Sequence, residues 1–189
     1  MHFEDYKLAS QKHLQTSLAI LDSIIEHQKE KKSKIIVNPY LEASLHNVYY
    51  LSGYTIECIV NYSIFKHYNW KKSSVKEVDH NFSKKCGLSF YQNERREDGG
   101  TYPYFINQHN YLRNLDILKK VYSNSRLPML DRSVGINNDA KQLFTHWNVE
   151  IRYHQPTTKY NKVALTIQSV TSFVELTKEF HNGLIALVG

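Results

Sequence analysis

The chain has 189 residues, of which 41% are hydrophobic and 22% charged, and a formal net charge of +6. That length suits one domain burying its own core, and the hydrophobic share excludes a chain that is disordered throughout. Seven glycines and four prolines are too few for a fold made of many turns, and Cys58 and Cys86 make no disulfide framework, so the composition favours helices.

Glu4 to Glu30 is expected as one helix, with Leu8, Leu18, Ala19, Leu21, Ile24 and Ile25 recurring at helical spacing. No basic segment leading into an apolar run opens the chain, and no stretch approaches membrane-spanning length. The expectation is a cytoplasmic, reducing location without signal peptide or membrane. The densest basic patch, Lys29 to Lys34, reads as the solvated end of this helix. The net positive charge is a mild push toward nucleic acid or nucleotides.

Ser33 to Val37 reads as a connector, and Asn38-Pro39 opens a second helix reaching about Tyr68. It is apolar on most sides, through Leu45, Val48, Ile56 and Ile59 on one and Leu51, Tyr54, Cys58, Tyr62 and Phe65 on another. Such a helix is central. Cys58 serves there as a small hydrophobe. A polar ridge of His46, Gly53, Glu57 and Asn61 runs along one face. Glycine inside a helix costs about 1 kcal/mol against alanine, so something approaches the backbone at Gly53. A neighbouring helix is preferred over a ligand.

Trp70 to Ser74 is a connector before a weak helix over Val75 to Lys85, and Asn93 to Gly100 reads as a charged, mobile loop. Tyr102 to Tyr122 reads as a helix opened by Pro103, with Tyr111, Leu115 and Leu118 inward. Ser123 to Gly135 is irregular. Asn137 or Asn138 caps a helix carrying Phe144, Trp147 and Ile151, stopped by Pro156. Thr158 caps a last helix over Lys159 to Leu187, with the stripe Val163, Ile167, Val170, Val174, Phe180, Leu184 and Leu187. There is no internal repeat, low-complexity tract or β-alternation.

Glu57 is a lone carboxylate in an apolar helix and Arg152 a lone arginine at a helix end. Either charge is costly to bury unpaired, so a structural ion pair between them within one subunit is expected. The alternative is that Arg152 and its neighbours line a cleft for phosphate, which the planar guanidinium suits. His146 and His154 have the right chemistry for acid–base work, but a structural or exposed role is preferred. Tyr49, Tyr50 and Tyr54 could stack bases, with core packing preferred. The ten histidines form no metal motif, and no phosphate loop or dinucleotide fingerprint is present, so no metal or cofactor is expected.

The segment Tyr50-Leu51-Ser52-Gly53-Tyr54-Thr55-Ile56-Glu57-Cys58 resembles the second-helix signature of HEPN domains, small helical domains of the prokaryotic and eukaryotic nucleotide-binding superfamily. Trp147, four spacers and then Arg152-Tyr153 resemble that group's helix-end motif. His80, ahead of Phe82 and Leu88, is similar to its connecting histidine. The order and spacing agree from about residue 40 onward. Asn61 stands where family members often carry lysine. The Arg, four to six spacers, His pattern of the family's ribonucleases is missing at all six arginines: Arg95, Arg96, Arg113, Arg126, Arg132 and Arg152. His154 follows Arg152 by only two positions, about 200° round a continuing helix.

The resemblance implies an all-α, HEPN-like up-and-down bundle over residues 1–189, with additional short helices, paired as a homodimer. It implies a nucleotide- or RNA-binding module, non-catalytic or weakly catalytic, beside a nucleotidyltransferase or in a toxin–antitoxin or phage-defence setting. Its ligand-binding candidates are Arg152, Tyr153, His146 and Asn61. The alternatives are a metal-independent endoribonuclease using Arg152 and His154, and a structural protein-interaction module.

Overall fold

The computed structural model describes residues 2–30, 39–71, 82, 85, 94–95, 101–102, 111–122, 137–154, 159–160 and 163–189. They form an all-α bundle. Helices α1 (Glu4–Glu30), α2 (Pro39–His67), α3 (Tyr111–Val121), α4 (Asn138–His146) and α5 (Ile167–Val188) are joined by a short 3-10 helix (Val149–Tyr153). Two antiparallel pairs of two residues each accompany them: β1 (Glu94–Arg95) with β2 (Thr101–Tyr102), and β3 (Lys159–Tyr160) with β4 (Val163–Ala164). No helix among the described residues is long and apolar enough to cross a membrane.

Helix α1 starts where Asp5 accepts the backbone N–H of His2 at 2.8 Å. Glu4 and Asp5 in its first turn and Lys29 in its last complement the helix dipole. Its inward face is Tyr6, Ser10, Leu14, Ser17, Leu21 and Ile24, with Phe3 buried just ahead of it. That corrects the stripe expected from apolar residues alone, since Leu8 is 63% exposed and Ala19 lies outside. The buried serines satisfy themselves within the helix, Ser10 donating to the Lys7 carbonyl at 2.7 Å and Ser17 to that of His13 at 2.9 Å. Their small size lets α1 lie close to its neighbours.

Helix α2 is central and contacts α1, α3, α5 and the 3-10 helix. Val48, Tyr49, Ile56, Ile59, Val60 and Phe65 along it are fully buried. Its hydroxyls turn back onto the preceding turn, Ser52 to Val48 and Ser63 to Ile59, so they enter the core satisfied. The helix ends in a Schellman motif. Trp70 N–H donates to the Phe65 carbonyl, Asn69 N–H donates to that of Lys66, and Asn69 takes the left-handed conformation at φ 55°. The Trp70 ring meets Phe65 at 5.6 Å and Phe82 at 4.3 Å, closing that end of the core.

Two expected helices shorten. Tyr102 is in β2, so the third helix does not begin there, and α3 runs from Tyr111. The last helix starts at Ile167 instead of Lys159. Thr166 is its N-cap, with Thr166 and Ser169 exchanging side-chain and backbone bonds at 3.0 and 3.1 Å. Val163 is buried in β4, as are Val170 and Val174 in the helix, so apolar spacing alone does not separate strand from helix there. Strands of two residues are too short to show alternation. Thr158, Cys86, His80, the interval from Ser123 to Gly135, most of Val75 to Lys85 and most of Asn93 to Gly100 lie outside the described residues.

Candidate functional site

Helix α4 is opened by Asn137, whose side chain accepts from the N–H groups of Asp139 and Ala140. It was expected to run through Ile151. It stops at His146 instead, with Trp147 extended, and Asn148 caps the new 3-10 helix by accepting from Glu150 N–H at 2.9 Å. A helix end leaves carbonyls without an intrahelical donor. The Leu143 carbonyl is one, and the buried Tyr49 hydroxyl donates to it at 2.8 Å. Tyr49 thereby ties the end of α4 to α2.

The stop swings Trp147 onto α2. Its indole N–H donates to the Tyr50 carbonyl at 3.1 Å, and its ring lies against the Tyr50 and Tyr54 rings at 6.3 and 6.4 Å. A Cβ on Gly53 would overlap that indole. What approaches the helix backbone at Gly53 is therefore the tryptophan side chain at the end of a neighbouring helix.

The 3-10 helix buries Ile151 and turns Arg152 outward. The Arg152 guanidinium sits 4.5 Å from the ring centroid of Tyr153, itself 73% exposed. Partial desolvation pulls the Arg152 pKa down, but the phenols of Tyr153 and Tyr50 outweigh it and the net direction is up. Glu57 lies elsewhere, 2% exposed inside the bundle. Among the described residues no ion pair joins it to Arg152. The expected pair is corrected on that point. A continuous α4 would have carried Arg152 on helical phase, but the break at Trp147 spends the inward position on Ile151. Glu57 acts electrostatically on Tyr6, Cys58 and Tyr54. Burial, then the neighbouring thiol and carboxylate, push the Tyr54 phenol up to about 12, while Arg152 works against them. Tyr54 is a neutral phenol at physiological pH.

The 3-10 helix ends between Arg152 and His154. His154 is its extended C-cap, donating its backbone N–H to the Ile151 carbonyl at 3.0 Å. The helical separation that keeps these two side chains apart in sequence reasoning does not operate. The His154 charge is felt at His46, which is only 4% exposed. Burial first, then His154, hold the His46 pKa below the usual imidazole value. The His46 Nε2 makes no hydrogen bond. His13 of α1 meets Tyr54 edge-on at 4.9 Å, its pKa lowered by burial and by Lys12.

The four ligand-binding candidates separate. Arg152 and Tyr153 share the exposed surface beside Tyr50. His146 is exposed on α4, its Nδ1 bonded to the Gln142 carbonyl at 2.8 Å. Asn61 is 1% exposed and accepts from the Asn114 amide at 2.7 Å, joining α2 to α3. It is a core residue, which corrects its place among ligand contacts. His46 stood on the expected polar ridge without a role. Its signal was its spacing, one turn before Tyr50 on the same face. Among the described residues no group of three or more His, Cys, Asp or Glu could hold a metal ion. Compared with protein-family models, curated proteins and solved structures, the chain matches none of them.

Proposed function

We propose that this surface binds single-stranded RNA or nucleotides, as a HEPN-like binding module that is non-catalytic or weakly catalytic. The observation that carries the reading is the exposed Arg152–Tyr153 pair beside the Tyr50 and Tyr54 rings. It combines a guanidinium fork for phosphate with an aromatic face on which any base can stack. The net charge of +6 supports the electrostatic part. On this reading the chain pairs with a second copy and acts beside a nucleotidyltransferase or in a toxin–antitoxin or phage-defence setting.

The test is fluorescence anisotropy with short single-stranded RNA across a salt series. Binding is expected to weaken with salt, and Tyr153→Ala to weaken it about tenfold. Arg152 is exposed, so Arg152→Ala reads binding without disturbing the core. RNA affinity unchanged in both variants would sink the proposal.

The endoribonuclease using Arg152 and His154 stays as a second reading because the 3-10 helix ends between them. Metal-independent cleavage needs a proton-transfer group and a positive charge aimed at one phosphate. Little or no cleavage of mixed RNA in EDTA is expected. Robust cleavage by the parent, lost in folded Arg152→Lys and His154→Ala variants, would promote this second reading over the first.

A further inference from the structure

A row of aromatic rings leads from the 3-10 helix across α2 to α1. The buried Trp147, five positions before Arg152, stacks on Tyr50 at 6.3 Å with the planes 25° apart. The 3-10 helix carrying Arg152 packs on α2, where the Tyr50 phenol acts on the guanidinium. Tyr50 and Tyr54 stand one turn apart, their centroids separated by 5.9 Å and their planes by 19°. Tyr54 in turn meets His13 of α1 edge-on at 4.9 Å. Tyr50, Tyr54 and His13 are half-buried and keep part of each ring in water, while Lys12 beside His13 is exposed. The charges along both helices suit an anion. From Tyr6 to Leu21, α1 carries Lys7, Lys12 and His13 and no acidic residue. From Ala43 to His67, the one acidic residue of α2 is Glu57, which is buried.

We infer that a bound single strand runs from the Arg152–Tyr153 pair over Tyr50 and Tyr54 onto α1, where Lys12 takes a backbone phosphate and His13 the last base. The inference rests on the nucleic-acid reading above and adds the path of the strand and its second anchoring point. Successive ring spacings of 5.9 and 4.9 Å exceed the rise of about 3.4 Å per nucleotide in a stacked helix. A strand that follows the rings must open its own stacking, which a single strand does far more readily than a duplex. Every base has a π-face, so the row favours no particular sequence. Trp147 packs against both tyrosines from the buried side and holds them in place before the strand arrives, which spares the cost of ordering them. Lys12 suits a phosphate as a point charge on a flexible stem.

The experiment uses the full chain and oligouridylates of increasing length, read by fluorescence anisotropy. Affinity is expected to climb by about fivefold or more per added nucleotide until about four are present, one for each of Tyr153, Tyr50, Tyr54 and His13, and then to level off. Lys12→Gln, at an exposed position, should weaken binding of the longer strands and shrink their salt slope by about 0.7, leaving the dinucleotide unaffected. Lys119→Gln on α3, where the lysine is paired with Asp116, should change neither. A strand carrying 4-thiouridine at one end or the other should cross-link to α1 from one of the two ends. A plateau at one or two nucleotides, or longer strands that bind Lys12→Gln as they bind the parent, overturns the path over α1 and leaves the RNA reading standing. Cross-links that miss α1 from both ends overturn it too. No binding at any length overturns the RNA reading and the inference together.

Discussion

Two buried histidines occupy opposite situations in this bundle. His181 of α5 is held by Ser10 of α1 at 3.1 Å on Nε2 and by the Asn182 amide at 3.2 Å on Nδ1. Both ring nitrogens are used, and the ring ties α5 to α1. His46 is as deeply buried, yet its Nε2 is unused and its neighbour is another histidine. The first arrangement is what stability selects, because buried polar atoms are costly unless paired. The second leaves one buried nitrogen without that compensation. The lesson lies in partners, since burial is alike in both.

The largest effect is expected one turn further along α2 from His46, where Trp147 covers Tyr50 and Gly53. Trp147→Ala deletes an indole buried against α2 and is expected to cost about 3–5 kcal/mol in urea unfolding. Gly53→Ala pushes a methyl into that indole and should cost about 1–3 kcal/mol. In the Trp147→Ala background the same change should lose its penalty, because the clash is gone and alanine favours helix. Equal costs in both backgrounds would show that Gly53 answers to something other than Trp147.

The histidines themselves come next. Ser10→Ala strands the His181 Nε2 and is expected to destabilise by about 1–3 kcal/mol. His46→Leu removes an unsatisfied atom, so it should be neutral or raise stability by about 1 kcal/mol. Comparable destabilisation by both changes would erase the distinction drawn between the two sites.

Acid titration sharpens it further. His46, His181 and His13 all have folded pKa values below the usual imidazole value, burial being the first cause in each. The unfolded chain therefore binds more protons than the folded one once the pH drops below about 6.5. Their contribution is complete above that pH and is lost as the pH falls through the folded values. The urea midpoint should fall on acidification, less steeply in His46→Leu. A midpoint flat from about pH 8 to about pH 5 would contradict the burial argument for all three rings.

The smallest effect belongs to the surface. Arg152→Gln should leave the unfolding midpoint unchanged, because the guanidinium is exposed over Tyr153. If a phosphate contact is lost, the slope of log affinity against log salt should shrink by about 0.7. An unchanged slope with unchanged affinity would take Arg152 out of the site.

Much of the fold was legible because long helices write themselves in periodicity. The bounds of α1 and the centrality of α2 follow from which positions are apolar. The buried face of α1 was only half legible, because Ser10 and Ser17 count as polar until their bonds to the preceding turn are seen. At the candidate site, Gly53 announced a close approach, and Trp147, Arg152 and Tyr153 stood out as a motif. The Glu57–Arg152 pair failed for a physical reason. Charge complementarity is a property of residue types, whereas meeting depends on where a helix stops, and no glycine or proline marks the stop at His146.

By itself, then, the sequence determined a helical bundle around one apolar helix, with a glycine in that helix and a tryptophan–arginine–tyrosine motif far along the chain. Local propensity and hydrophobic spacing are enough for that, since both are read within a few turns. Only the tertiary structure decided that Trp147 fills the space at Gly53, that Arg152 faces out over Tyr153 while Glu57 stays inside, and that His46 lies buried near His154. Those facts depend on Asn148 restarting the chain as a 3-10 helix and on Tyr49 capping the Leu143 carbonyl from another helix. The Asn148 cap is local, but the Tyr49 and Trp147 bonds join residues about a hundred positions apart, beyond the reach of any local pattern.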